Sequence, residues 1–120
     1  MTNRPYRLGP LALTNTLTTN ILNPGTTTGG VNSGTFNLYI IIYRFNIFNK
    51  TASPATFSLW IGATGANLAG TEFFTAVSVA ANSYFPYSGR LRFDVTDFLV
   101  GGASANTTLT FEAEGEIGIV

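Results

Sequence analysis

The strongest constraint on this chain is a period of two. Between residues 107 and 119, Leu109, Phe111, Ala113, Ile117 and Ile119 occupy one parity, and Thr108, Thr110, Glu112, Glu114 and Glu116 occupy the other. Successive side chains of a β-strand point to opposite faces, so this segment is a strand with one apolar and one polar face. Residues 90–98 repeat the pattern, with Leu91, Phe93 and Val95 predicted inward and Arg90, Arg92 and Asp94 outward. Thr56 to Ile61 puts Phe57, Leu59 and Ile61 on one side and Trp60 on the other, and Glu72 to Val79 groups Phe73, Thr75, Val77 and Val79. The intervening stretches, Asn49-Lys-Thr-Ala-Ser-Pro, Gly62 to Gly70 and Ala80-Ala-Asn-Ser, carry the Gly, Pro, Asn and Ser of turns. No segment shows a helical period. Short alternating strands separated by turns predict an all-β chain, an antiparallel β-sandwich or jelly roll.

Phe36 to Phe48 is the densest apolar run and the predicted central strand, rich in the β-branched and aromatic residues that suit a pleated surface. Its odd positions Tyr39, Ile41, Tyr43, Phe45 and Ile47 are apolar or aromatic, and so are its even positions Phe36, Leu38, Ile40 and Ile42. Both faces then need covering: one by the core, the other by a second layer of the same domain, an arm or a neighbouring subunit. Residues 1–34 differ in kind, being rich in Thr, Asn and Gly with Pro5, Pro10 and Pro24. Such a stretch buries too little apolar surface to order by itself. Tyr6, Leu8, Leu11, Leu13, Leu17, Ile21 and Leu22 are scattered through it and predict an extended N-terminal arm, or an edge strand of the same domain. The division is therefore an arm at 1–34 and a β-sandwich at 35–120.

Charge narrows the partners. Six Arg and Lys balance six Asp and Glu, and only 10% of the 120 residues are charged, against roughly 25% in an ordinary soluble domain. Binding nucleic acid requires a positive surface, which a net charge of zero does not supply. The same neutrality removes colloidal repulsion and favours self-association. The longest apolar stretch, Leu38 to Tyr43, is far shorter than the roughly 20 residues of a membrane helix, so no membrane partner is expected. Met1-Thr-Asn-Arg-Pro lacks the features of a secretory signal, and the sequons at Asn49 and Asn106 are read as chance.

The catalytic repertoire is thin. The chain has no His and no Cys, which excludes Ser–His and Cys–His nucleophiles and thiolate metal sites, and its one Lys lies in a turn. Glu112, Glu114 and Glu116 stand about 7 Å apart along one strand face, a spacing compatible with an inverting glycosidase. An open ladder is a poor cleft, and the favoured reading is a solvated face paired across strands with Arg90 and Arg92. Asp94 and Asp97 supply two carboxylates for a calcium ion but no recognisable spacing of further ligands. Neither phosphate-binding glycine motif occurs. Trp60, Tyr84 and Tyr87 are candidates for a sugar-stacking platform, although aromatics in such folds more often serve core or interface. The chain is accordingly expected to be no enzyme, with no catalytic residue, no metal and no cofactor.

Three stretches between Tyr43 and Gly115 carry a resemblance. They are Arg44-Phe-Asn-Ile-Phe-Asn-Lys-Thr-Ala-Ser-Pro-Ala-Thr-Phe-Ser-Leu-Trp-Ile, the turn Val79-Ala-Ala-Asn-Ser-Tyr, and the ending Phe98-Leu-Val-Gly-Gly-Ala-Ser-Ala-Asn-Thr-Thr-Leu-Thr-Phe-Glu-Ala-Glu-Gly-Glu. Together they resemble small virion structural proteins of tailed bacteriophages, above all capsid decoration (minor capsid, or cement) proteins and related tail components. The closing turn of that group often carries Gly-Asp, where this chain has Gly101-Gly102. The resemblance implies a virion protein on the capsid surface, assembled in the host cytoplasm, that trimerises and binds the lattice of major capsid protein, its arm reaching neighbouring subunits. The expected oligomer and capsid contacts are Tyr6, Leu8, Leu11, Leu13 and Leu17 of the arm with Tyr39, Ile41, Tyr43 and Phe45 of the central strand. A tail or fibre component and a carbohydrate-binding module are the alternatives.

Overall fold

A computed structural model describes residues 2–24 and 39–119. Eight strands follow in order: β1 (Thr2–Ala12), β2 (Asn20–Leu22), β3 (Tyr39–Asn49), β4 (Ala55–Gly62), β5 (Glu72–Val79), β6 (Ser83–Asp94), β7 (Phe98–Ala103) and β8 (Leu109–Ile119). They form two four-stranded antiparallel sheets, ordered β1-β8-β3-β6 and β2-β7-β4-β5. The described residues contain no helix. Both sheets feed one core, to which Tyr6, Leu8, Ile40, Ile42, Phe45, Ile47, Phe93 and Phe111 come from the first, and Leu22, Phe57, Leu59, Val79 and Leu99 from the second.

A β-bulge resolves the doubly apolar run. Between Ile42 and Arg44, β3 advances two residues while β8 advances one, from Gly115 to Glu114, so Tyr43 has no partner on β8. The inward parity therefore switches from even (Ile40, Ile42) to odd (Phe45, Ile47), and all four side chains join the core. Part of what looks like two apolar faces is thus one column with a change of phase, while Tyr39, Ile41 and Tyr43 stay on the outward face. Gly115 sits opposite the bulge because the β3 backbone presses on it: a Cβ there would overlap the carbonyl oxygen of Ile41.

The segment 1–34 is described from residue 2 to residue 24, and these residues form β1 and β2. Their backbones are bonded to β8 and β7, and Tyr6, Leu8, Leu13 and Leu22 are buried. Residues 25–34 lie outside the described residues, as do Phe36 and Leu38. Removing residues 2–12 would strip β8 of one neighbour and take away two buried side chains, each contributing about 1.5–3 kcal/mol.

Three sequence expectations are corrected. Val95 is 38% exposed, because β6 ends at Asp94 and a turn follows in which the Asp97 carboxylate accepts a hydrogen bond from the Asp94 N–H (2.9 Å). Thr75 is exposed and Phe74 packs on the core in its place: β5 shifts register against β4, and Ala76 adopts a left-handed conformation (φ 46°) with its N–H donated to the buried Ser58 hydroxyl (2.8 Å). Gly101-Gly102 is not a turn but the middle of β7. A side chain at Gly101 would overlap the Ser58 carbonyl and one at Gly102 the Thr14 carbonyl, so these glycines admit neighbouring backbone.

Asn49 closes the core at the end of β3. Fully buried, it donates to the carbonyls of Ser53 (2.9 Å) and Val79 (3.0 Å) and accepts from the Thr51 N–H (2.9 Å) and hydroxyl (2.7 Å). An amide is the one side chain that meets two acceptors and two donors at once. Asn49→Asp keeps the shape but loses both donors and buries a carboxylate; urea denaturation should show a loss of about 3 kcal/mol or more. Gly115→Ala should be as severe, and Thr75→Ala, exposed on β5, should fall within about 0.5 kcal/mol of the parent.

Candidate functional site

The outward face of the β1-β8-β3-β6 sheet carries most of the chain's charge and exposed aromatic surface. Register defines its rows. Ile41 lies between Glu116 of β8 and Arg92 of β6, Tyr39 between Gly118 and Asp94, Arg44 between Glu114 and Ser88, and Phe48 between Thr110 and Tyr84. On the β1 side, Arg7 is the register partner of Glu114. An acidic column on β8, and a β6 column with Arg92 next to Asp94, thus flank a central strand bearing Tyr39, Ile41, Tyr43, Arg44 and Phe48.

The expected partnership of the glutamates with Arg90 and Arg92 is corrected by the strand order. β3 lies between β8 and β6, so Arg44 takes their place, pairing with Glu112 (3.2 Å) and with Glu114. Arg92 turns instead to Asp94 (3.0 Å) and lies over the Tyr39 ring, its guanidinium carbon 4.4 Å from the centroid. That ring in turn occupies the space above Gly118, which a Cβ would fill. Nothing in the alternation marks this stack; Gly118, interrupting a good strand, is its sequence trace. Tyr43, 41% exposed, has its phenol held above the ordinary value by partial desolvation, then by its hydrogen bond to the Glu116 carboxylate, with Arg90 pulling the other way.

The expected contact residues do not share one surface. Tyr6, Leu8, Leu13 and Phe45 point into the chain's own core, and Leu11 is half-buried against it. Ile41 is buried although it faces outward; Tyr39 is half-buried beside it. Leu17, 38% exposed, lies in the loop between β1 and β2, away from that face. Tyr39, Ile41 and Tyr43 are the three that the outward face brings together.

Trp60, Tyr84 and Tyr87 do not form a platform. Trp60 is 8% exposed and belongs to the other sheet. Tyr87 turns inward and stacks on Phe45 at 4.8 Å, whereas Tyr84, 56% exposed, faces out and leans on Phe48 at 5.9 Å. Glu112 and Glu114 stand on an open sheet face, and the carboxylates of Asp94 and Asp97 are used by Arg92 and by the turn they close. Among the described residues no group of three or more His, Cys, Asp and Glu is placed to hold a metal ion. A cavity of about 210 Å³ lies where the two sheets part between β1 and β2, lined by Leu8, Leu11, Leu13, Thr19, Asn20 and Ile21 among others, with no titratable side chain. Among the described residues no helix is long and apolar enough to cross a membrane. No protein-family model matches this chain, and no curated protein matches it.

Two outcomes test this face. A double-mutant cycle on Arg44 and Glu112 should give a coupling of about 0.5–1 kcal/mol, since Arg44 is well exposed, and it should shrink as salt approaches 1 M. Glu116→Gln should lower the Tyr43 titration midpoint, read by ultraviolet absorbance, toward that of a free phenol.

Proposed function

We propose that the chain is a non-enzymatic virion structural protein, a capsid decoration protein of a tailed bacteriophage, that self-associates and binds the assembled lattice of major capsid protein to stabilise it. The observation that carries the reading is the strand order. Eight strands arranged 1-8-3-6 and 2-7-4-5, with one core between the sheets, support a jelly-roll β-sandwich, the double-sheet architecture common in viral capsid and lectin domains. The sequence resemblance points the same way.

Surface chemistry supports the reading as well. The outward face of β1-β8-β3-β6 offers Tyr and Arg, residues enriched at protein interfaces, and it carries charges of both signs, which suits a partner of mixed charge better than a nucleic acid. Repetition on a shell would raise a weak single contact to firm attachment. The resemblance implies three copies per assembly, whereas the register of charges on the outward face favours two. A tail or fibre location rests on the same architecture and differs only in the partner. A carbohydrate-binding role would have to use Tyr84, exposed on the outward face, with the half-buried Phe48 ring beside it.

Purified protein mixed with undecorated shells of the phage of origin is expected to co-sediment at saturable stoichiometry and to raise the temperature of shell disassembly. Sedimentation with isolated tails and not with shells would move the assignment to the tail. Binding to a glycan array, lost in Tyr84→Ala, with no sedimentation on either, would replace it.

A further inference from the structure

The edges of both sheets are poor places for a second chain. Pro5 on β1 and Pro86 on β6 donate no backbone hydrogen bond, β5 is kinked by the left-handed Ala76, and β2 is three residues long. The outward side of β4 and β7 is already covered, since Ser58, Trp60 and Val100 are all buried. The β1–β2 loop runs along β7, bonded through Gly101 and Ala103, and the β4–β5 loop is tied to it by the Gly65 N–H on the Asn20 side chain (2.7 Å). Among the described surfaces, the outward face of β1-β8-β3-β6 remains.

That face is complementary to itself. Consider a two-fold axis parallel to β3, lying between two such faces stacked about 10 Å apart. β3 then lies over β3 of the second copy, and β8 lies over β6. Because Glu116 and Arg92 share one row on either side of Ile41, each meets the other's counterpart, and the contact occurs twice. In the neighbouring rows Asp94 falls over Gly118, and Glu114 over Ser88, so no carboxylate meets a carboxylate. Arg44, on the axis itself, is drawn aside to β8 by Glu112 and Glu114. Tyr39 and Tyr43 supply the aromatic contact, Ile41 between them being already buried in its own chain, and the chain's one Lys, Lys50, lies off the strands of this face.

We infer that the outward face of the β1-β8-β3-β6 sheet pairs two-fold with the same face of a second copy, Glu116 of each chain meeting Arg92 of the other. The inference rests on the reading of the chain as a self-associating protein and not on which lattice it binds. Light scattering coupled to size exclusion, over a range of concentrations, should show a dimer. Arg92→Glu and Glu116→Arg should each raise the dissociation constant roughly a hundredfold, since one substitution creates two like-charged contacts. Mixing the two variants should restore the dimer, because positions 92 and 116 are both acidic in the first variant and both basic in the second, and each contact again joins opposite charges. Arg90→Glu, exposed on the same column, should weaken pairing in the same sense and serves where a variant at 92 or 116 fails to fold by circular dichroism. A monomer at the highest concentration, a trimer, or a dimer indifferent to these reversals overturns the two-fold contact. Shell co-sedimentation of the same variants keeps the capsid assignment on a separate footing: variants that stay monomeric yet still bind shells leave that assignment standing.

Discussion

Everything in the larger sheet turns on the bulge in β3. This strand is bonded on both sides, to β8 and to β6, so its phase decides which side chains of three strands reach the core. With Tyr43 left over, Ile40 and Ile42 on one side of the bulge and Phe45 and Ile47 on the other all point inward. Without the extra residue, one pair would be forced into water, because a slip of one residue exchanges the faces. Gly115 permits the close approach that the bulge requires.

The aromatic core follows from that phase. Phe45 stacks on Tyr87 at 4.8 Å and on Phe111 at 5.3 Å, and meets Phe73 and Phe74 edge-on across the gap between the sheets. Phe74 and Phe57 extend the cluster to Phe85. Rings of this kind contribute both area and preferred geometry, which helps fix how one sheet sits against the other. The buried Tyr6 hydroxyl is the exception: it has no partner among the described residues, and burial pushes its phenol well above the ordinary value.

On the outward side, the same bulge sets what is displayed. Tyr43 is turned to solvent beside Glu116, and Arg44 is brought into the row of Glu114. The result is a face with its glutamates on β8 and, on β6, Arg92 next to Asp94, about a middle strand of Tyr39, Ile41, Tyr43 and Arg44. Sorting of this kind contributes little to the stability of one chain, since exposed ion pairs are weak. Where two proteins associate, complementary columns of this kind select orientation and partner.

The sequence by itself determined the class of structure and most of its strands. Period-two alternation places Phe57, Leu59, Phe93, Leu109 and Phe111 inward without knowledge of any neighbour, because the alternation belongs to the backbone of each strand. It also excluded Ser–His and Cys–His nucleophiles, since the chain has no His and no Cys. What it left open depends on residues far apart in sequence. Which arginine meets the glutamates of β8 was decided by β3 lying between β8 and β6; whether Gly101-Gly102 is a turn or a strand was decided by how closely Ser58 and Thr14 approach. Ile40, Ile42, Phe45 and Ile47 became one inward column only through a bulge that Gly115, far along the chain on β8, permits. Strand order and register are relations between segments, and no local pattern of hydrophobicity encodes them.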